Sequence, residues 1–598
     1  MTQHSRGRWT PFWVRLSFAA VFIALRIAYR LVFGNVGWTS IGQAASLALP
    51  FALVIVICGF LSALIDVRRL LPAMSGLRYG RSVGTALAIA LAAYPTLIHQ
   101  VKTLDAARKL RGMRSRTAFL VPLLEHTVER AVALAAAMDL RGFGTSHHRE
   151  LSRADITFTD YQLAYAGSLA LSSVNLKVPA GTLTVLTGAT GSGKTAVLES
   201  IAGLSQHFHN GHTIGTLTIG ELDRSVVAPR ETAGLIGFVQ QDVRLGFAAA
   251  TAREELLFGL RVMGKNKAES QQRVSELIDE FALEAFSDLP IELLSAGQAT
   301  RVAIASAVSL SPRILLLDEP LADLDTNSSR EIVQLFSDLH SQGLTVVIAE
   351  HHVEPLVALS PRWVSVEEGK VTEGRYVSES RFPHRTIPVV GDDVVLEVSE
   401  LNVSRGDKTL LENISLTARV GEIVAVVGTN GVGKSSLLAE LAQLSPSPVE
   451  SRFALVPENV ASLFICETLS EELERADRIA GHAGSGLSEL TFWSLLGRTD
   501  EHSSQLLGTH PRDLSAGTQL ALAIAIQLAW KPRVVLIDEP TRGLDSYARD
   551  AKAEVLRCVA ETGTVVLFAT HDHTFVTDMN CRVLQIQNTS LTPVEVSA

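Results

Sequence analysis

The sequence predicts an α/β chain: two tandem copies of a phosphate-binding-loop domain, preceded by an all-α membrane module. Three observations predict it. The octapeptides GATGSGKT (188–195) and GTNGVGKS (428–435) both fit G-x-x-x-x-G-K-[ST], and each follows a β-branched run, LTVLT or IVAVV. Four further motifs recur behind both octapeptides in one order. Residues 44–65 contain 22 consecutive uncharged residues, enough for a helix to cross a hydrocarbon layer of about 30 Å.

The head differs from the body in charge. Residues 1–150 hold 18 Lys+Arg and 6 Asp+Glu; the remaining residues hold 35 and 56. A basic segment interleaved with apolar runs favours a membrane over nucleic acid. Two spans are expected, at about 13–33 and 44–65. Arg15, Arg26 and Arg30 interrupt the first, and the cluster Arg68, Arg69, Arg78 and Arg81 after the second marks its cytoplasmic side. The 16 uncharged residues 83–98 are short for a span and suit an interfacial or tilted helix equally well. A cleaved leader fits residues 1–34 poorly, because arginines break the apolar stretch and no small-residue cleavage pattern follows.

Residues 99–143 change character. Arginines and lysines crowd 102–116, and an amphipathic helix is expected over 118–144, where Leu120, Leu124, Val128, Val132, Ala135 and Met138 recur at steps of three or four. Leu-Arg-Gly occurs at 110–112 and again at 140–142, and the glycine after each helical pattern reads as a helix stop. The four cysteines, Cys58, Cys466, Cys558 and Cys581, form no CxxC or Cys/His spacing and are expected to be buried reduced thiols.

In the body, each glycine loop lets backbone N–H groups converge on phosphate oxygens at the start of a helix. The candidate nucleotide-binding residues are Gly188, Ala189, Thr190, Gly191, Ser192, Gly193, Lys194 and Thr195, and Gly428, Thr429, Asn430, Gly431, Val432, Gly433, Lys434 and Ser435. Lys194 and Lys434 reach the β and γ phosphates; Thr195 and Ser435 are candidate Mg²⁺ ligands. The strands ILLLDE and VVLIDE end in carboxylate pairs. Asp318 and Asp538 suit the metal shell, and Glu319 and Glu539 suit the orientation and deprotonation of an attacking water. Each pair is followed by Leu-Asp and then by a strand ending in histidine, His351 or His571. The lysines lie 240 residues apart; the LSAG serines, acidic pairs and histidines lie 220 apart, so one module was duplicated and then shortened by 20 residues.

These residues resemble the ATP-binding cassette family over about 152–598. The resemblance implies two composite ATP sites, each glycine loop closed by the LSGGQ-type signature of the other copy. Site one, with Asp318, Glu319 and His351, is closed by Ser515 and Gly517; site two, with Asp538, Glu539 and His571, is closed by Ser295, Gly297 and Gln298. It also implies that Gln241 in GFVQQD is the Q-loop glutamine, acting in catalysis and as a metal ligand, and that Tyr165 stacks on adenine. In the second copy Glu458 stands where the glutamine is expected and Arg405 where the aromatic is expected. An arginine can still stack on adenine.

The head resembles the transmembrane T component of energy-coupling factor (ECF) importers over about 66–144. That resemblance makes Arg111 and Arg141 coupling residues, each docked on one ATPase, and AYPTL (93–97) the counterpart of an upstream family motif. The module is shorter than a usual T component. The implied organisation is a T-like module over 1–150 with coupling helices at about 99–143, a first ATPase domain over 151–375, a linker over 376–393, and a second domain over 394–598.

The resemblance implies an ATP- and Mg²⁺-dependent ATPase that energises import of a vitamin, a vitamin precursor or a metal ion. Its partners are a small integral-membrane substrate-binding subunit, a further T subunit completing the short module, and the lipid bilayer, with no nucleic acid. Its place is the plasma membrane, with the ATPase domains cytoplasmic. Two other readings compete. A soluble tandem-cassette ATPase acting on the ribosome or DNA needs a basic surface that the acidic body does not supply. An exporter needs more membrane spans than the head can hold.

Overall fold

In a computed structural model, the chain divides into two units, Met1–Pro95 and Thr96–Ala598. The structure describes residues 120–145, 149, 155–165, 168–189, 191–322, 324–351, 353–375, 390–405, 408–429, 431–444, 453–496, 506–514, 516–541, 546–587 and 589–594. The expected spans at 13–33 and 44–65, residues 83–98 and Arg111 therefore lie outside the described residues, as do Cys58, Thr190, Asn430 and Ser515. Among the described residues no helix is long and apolar enough to cross a membrane.

Helix α1 spans Leu120–Leu140 and stops where the sequence placed the stop, with Gly142 and Gly144 in the left-handed region at φ 80° and 81°. Its packing face differs from the apolar stripe read from the sequence. Leu124, Val128 and Val132 are exposed, whereas Leu134, Ala136, Ala137 and Leu140 are buried. Small residues let the helix approach the loop after Val239, where a Cβ on Gly246 would lie 3.7 Å from that of Ala137. Hydrophobicity alone ranks leucine and valine first, but close approach selects alanine and glycine.

The first copy begins with an antiparallel sheet, β2 (Ser168–Val178), β1 (Ile156–Tyr165), β4 (His212–Ile219) and the short Leu222–Asp223. Its second sheet has six strands: β3 (Leu183–Thr187), β5 (Ile236–Val239), β6 (Ile314–Asp318), β7 (Thr345–Ala349), β8 (Arg362–Glu367) and β9 (Lys370–Glu373), in the spatial order β9-β8-β3-β7-β6-β5. All pairings are parallel except β8 with β9. β3, β6 and β7 are buried at every position, as a sheet covered on both faces requires. Helix α2 (Lys194–Ala202) follows the glycine loop, α3 (Ala252–Val262) follows the loop after β5, and α4 (Ala296–Val308) carries LSAGQ at its start.

The second copy repeats this plan. β10 (Val394–Arg405) pairs antiparallel with β11 (Lys408–Arg419). β12 (Ile423–Val427), β13 (Phe453–Val456), β14 (Val534–Asp538), β15 (Val565–Thr570), β16 (Arg582–Gln587) and β17 (Ser590–Val594) form a sheet ordered β13-β14-β15-β12-β16-β17. Strand for strand this is the first copy's order. Helices α5 (Lys434–Gln443), α6 (Leu469–Ile479), α7 (Ala516–Leu528) and α8 (Ser546–Glu561) match α2, α3, α4 and the helix Thr326–Ser341.

The copies differ at a core position on α8. Lys552 on α8 is buried where the first copy has the buried Ile332, and its ammonium donates to the Pro540 carbonyl at 2.5 Å. Burial pulls its pKa down from 10.5 to about 7. A base whose folded pKa lies below its unfolded value destabilises the fold fully below the folded pKa and not at all above the unfolded one. Lys552→Ile is therefore expected to raise the melting temperature most below pH 7, with the gap closing towards pH 10.5; a gap independent of pH would remove the charge from the explanation. The described cysteines, Cys466, Cys558 and Cys581, are half-buried and in no disulfide, and burial pushes the Cys581 thiol up to about 12.

Candidate functional site

The glycine loops, the carboxylate pairs and the histidines all emerge at the carboxyl edge of their sheets, where open α/β sheets hold ligands. In the first copy the loop needs its glycines for space and for backbone sign. A Cβ on Gly188 would meet the Val366 carbonyl oxygen at 2.1 Å, and Gly193, at the start of α2, takes φ 109°. Lys194 is buried, and its ammonium folds back on the Gly188 and Ala189 carbonyls at 2.9 and 3.0 Å. The Ser192 hydroxyl is buried without a hydrogen-bond partner. Such a cradle of unspent donors fits a polyphosphate. The second loop repeats it, with Gly433 at φ 113° and Lys434 donating to Gly428 at 2.8 Å and Thr429 at 3.4 Å. Gly191 and Gly431, at φ 79° and 80°, face open space.

Asp318 accepts from the Thr195 hydroxyl at 3.2 Å, and burial, with Glu319 next to it, raises its pKa to about 7. Asp538 is raised to about 6 by burial; the Ser435 hydroxyl beside it opposes the rise, while Glu458 and Glu539 add to it. Its Oδ1 is buried and has no hydrogen-bond partner. A buried carboxylate held short of full ionisation lacks a positive charge. Among the described residues no group of three His, Cys, Asp or Glu could hold a metal. One carboxylate with one hydroxyl instead suits magnesium, which keeps phosphate and water ligands.

Glu319 and Glu539 are buried, or nearly so, and both sit in the left-handed region, at φ 45° and 46°, which side chains other than glycine rarely adopt. The same strain at the same place in both copies marks the residue after the metal-ligand candidate. Burial works to raise each pKa, but the neighbouring groups outweigh it and hold both glutamates low. For Glu319 these are His351, Lys194 and the Gln241 amide; for Glu539 they are His571 and Lys434. Gln241 donates to Glu319 Oε2 at 2.7 Å. Lys434 lies 3.3 Å from Glu539 Oε1, and His571 Nδ1 lies 3.0 Å from Oε2.

The histidines differ in their company. His351 Nδ1 lies 3.5 Å from Glu319 and 3.3 Å from the fully buried Glu350. Burial would lower the His351 pKa, but the two carboxylates raise it. His571 has Thr570 where the first copy has Glu350, and Glu539 alone accounts for most of its rise against burial. Glu350 lies outside the recurring motifs, although AEH against ATH marks the difference in the sequence.

Ser295 caps α4 by accepting from Gln298 N at 3.3 Å, while the Gln298 side chain accepts from Ser295 N at 3.0 Å. Ser295, Gly297 and Gln298 border a cavity of about 220 Å³. Gly517 occupies the same position on α7. Tyr165 is half-buried at the end of β1, its hydroxyl buried beside Ser205 and Glu199; burial raises Tyr165 to about 12 and Glu199 to about 7. Arg405 ends β10 at the matching place.

Arg141 follows the end of α1 and reaches into the first copy. Its NH2 lies 2.7 Å from Glu255 Oε1, and its guanidinium sits 5.7 Å over the Phe258 ring. Glu255 is fully buried, and its other oxygen accepts from Ala248 N and Ala249 N at 2.9 Å each. In the second copy the fully buried Glu472 accepts from Ile465 N and Cys466 N in the same way. Neither glutamate belongs to a sequence motif; the repeat TAREEL against TLSEEL was the available signal.

Comparison with known proteins agrees with this geometry. The ABC transporter family matches residues 171–322 and 411–542. A "Putative ABC transporter ATP-binding protein" of Streptomyces avermitilis is 31% identical over 520 residues, covering 72% of this chain and 91% of the relative. The "Putative HMP/thiamine import ATP-binding protein YkoD" of Bacillus subtilis is 26% identical over 486 residues, covering 70% and 87%. A solved structure described as "Model of ribosome-bound archaeal Pelota and ABCE1" shares the fold with a TM-score of 0.52 at 21% identity, covering 72% of this chain and 78% of that one. With two phosphate-binding loops, two carboxylate pairs and relatives matched over nine-tenths of their length, the chain belongs to the ABC transporter ATP-binding proteins and is an ATPase with two nucleotide-binding domains.

Proposed function

We propose that this chain is the energising subunit of an ECF-type importer. It couples ATP binding and hydrolysis at two composite sites to uptake of a vitamin-like molecule or metal ion through a separate membrane subunit. The observation that carries this reading is Arg141. A helix leading from the apolar head ends in an arginine paired with a buried glutamate of the first ATPase, beside the loop that carries Gln241. Arg111 would make the equivalent contact with Glu472. The import named in the YkoD relative makes a vitamin precursor the first cargo to test.

In this reading Lys194 and Lys434 leave their loop carbonyls for the β and γ phosphates of ATP. Thr195 with Asp318, and Ser435 with Asp538, would hold Mg²⁺, with Gln241 as a further ligand in site one; a bound Mg²⁺ would neutralise charge on the transferred phosphoryl group. Glu319 and Glu539, kept ionised by their neighbours, accept a proton from the attacking water. His351 and His571 orient those glutamates. Closure of the two domains moves α1, and only a difference in membrane arrangement between closed and open states does transport work. Tyr165 and Arg405 hold adenine. The ATPase domains face the cytoplasm at the plasma membrane.

A second reading, a tandem-cassette ATPase acting on the ribosome or DNA, has in its favour the double-cassette fold shared with the ribosome-bound structure. Fold alone does not choose between them. Membranes washed in high salt decide: the importer stays in the pellet and co-purifies with a small membrane protein, whereas release together with ribosomes would replace the first reading by the second.

A further inference from the structure

The carbonyl just before each signature serine is held by a side chain, and the two copies take that side chain from different places. In the first copy the holder is Arg244, three residues after Gln241 on the loop that follows β5. Its two terminal nitrogens donate to the Ile291 and Leu294 carbonyls at 3.1 and 2.5 Å. Leu294 directly precedes Ser295. The loop between Gln241 and Arg244 is itself tightened, since Asp242 accepts from Arg244 N at 3.0 Å and from Leu245 N at 3.1 Å. A short, stiff path therefore runs from Glu319 through Gln241 and Arg244 to the start of α4.

Among the described residues, the second copy holds its turn differently. Its loop aligns residue for residue with the first, from Val456 opposite Val239 to Thr468 opposite Thr251, and Ala461 stands opposite Arg244. The Leu514 carbonyl, opposite Leu294, accepts instead from Gln519 at 2.9 Å, and Gln519 also donates to the Arg512 carbonyl at 2.9 Å. Gln519 lies within α7 itself, where α4 has the buried Ala299. Carbonyls in an irregular turn need partners, and a guanidinium fork or an amide can each supply two bonds. The bonds are similar, but what they attach the turn to is not. Arg244 ties the signature turn to the loop that carries Gln241; Gln519 ties it, among the described residues, to its own helix. Arg130 on α1, half-buried, faces the opposing charges of Glu292 in the same turn and Asp242 in the same loop. Helix α1 thus bears on that turn and on that loop.

We propose that Arg244 is a positioning residue that makes the first copy's signature follow the state of site one, while Gln519 presets the second copy's signature. Turnover at site two then depends on the state of site one more than turnover at site one depends on site two. This rests on the composite arrangement under Proposed function, in which Ser295 closes site two.

The test uses the full chain in two backgrounds. Glu319→Gln leaves turnover to site two, and Glu539→Gln leaves it to site one. Arg244→Ala is expected to lower site-two turnover about tenfold and site-one turnover less than threefold. Arg244→Lys does not rescue, because a single ammonium is not a fork over two carbonyls. Gln241→Ala is expected to lower site-two turnover in the parent, and to lose that effect in Arg244→Ala/Ala299→Gln, which transplants the second copy's arrangement and keeps the turn bonded if Arg244→Ala alone fails to fold. A transplanted variant that still responds to Gln241→Ala as the parent does, or a larger loss at site one than at site two, overturns the proposal. Ser295→Ala separates the two levels: site-two turnover indifferent to it removes the composite arrangement itself, and this proposal with it.

Discussion

Glu539→Gln is expected to lower ATP turnover at site two by roughly 10²–10⁴, as expected for removal of a general base, and Glu319→Gln to do the same at site one. A buried carboxylate ordinarily gains a proton, and the aspartates next to these glutamates do rise, to about 7 and about 6. Each glutamate moves the other way, because a histidine and the loop lysine lie against it. The result is an acceptor held towards its ionised form, with the backbone at both glutamates held in a conformation the chain would otherwise avoid. Gln keeps size and hydrogen bonding but cannot take a proton, so nucleotide affinity should change little while turnover falls. Single-turnover hydrolysis of radiolabelled ATP in each variant measures this; unchanged turnover at both sites would overturn the assignment.

Arg141→Ala is expected to be the most damaging change outside the ATP sites. It leaves the Glu255 carboxylate, fully buried and still bonded to two backbone N–H groups, without its counter-charge. Breaking one side of a buried pair costs about 3–5 kcal/mol. The docking of α1 should loosen, and, under the proposed import function, substrate uptake should fall much further than ATP hydrolysis. Glu255→Gln in the same chain removes the orphaned charge while keeping an acceptor for Ala248 N and Ala249 N, so the double variant should regain stability but not uptake. Melting curves with a paired uptake and ATPase assay check both halves. If Arg141→Ala leaves the ratio of uptake to hydrolysis intact, the lever has no role in coupling.

Glu458 illustrates how far a single letter carries. The sequence showed an acidic residue where the family glutamine belongs, and the structure gives it a physical consequence, since it adds to the rise of Asp538. The matching Gln241 binds its glutamate. Together with Glu350 against Thr570 and Arg244 against Ala461, this makes the two sites chemically unequal although their motifs read alike.

The sequence alone determined the duplication, both glycine loops, the carboxylate pairs, the histidines and the arginine after α1. Each of these is short-range chemistry, in which a few adjacent residues must take fixed types to meet a phosphate, a metal or a helix end. Only the tertiary structure decided which face of α1 packs, that Glu255 and Glu472 are buried in matching turns, and which side chain holds the carbonyl before each signature. Those depend on residues far apart in the chain, such as Arg244 with Leu294 or Arg141 with Glu255, meeting at one point. Pair distance and loss of water decide such contacts, and neither is written in local spacing.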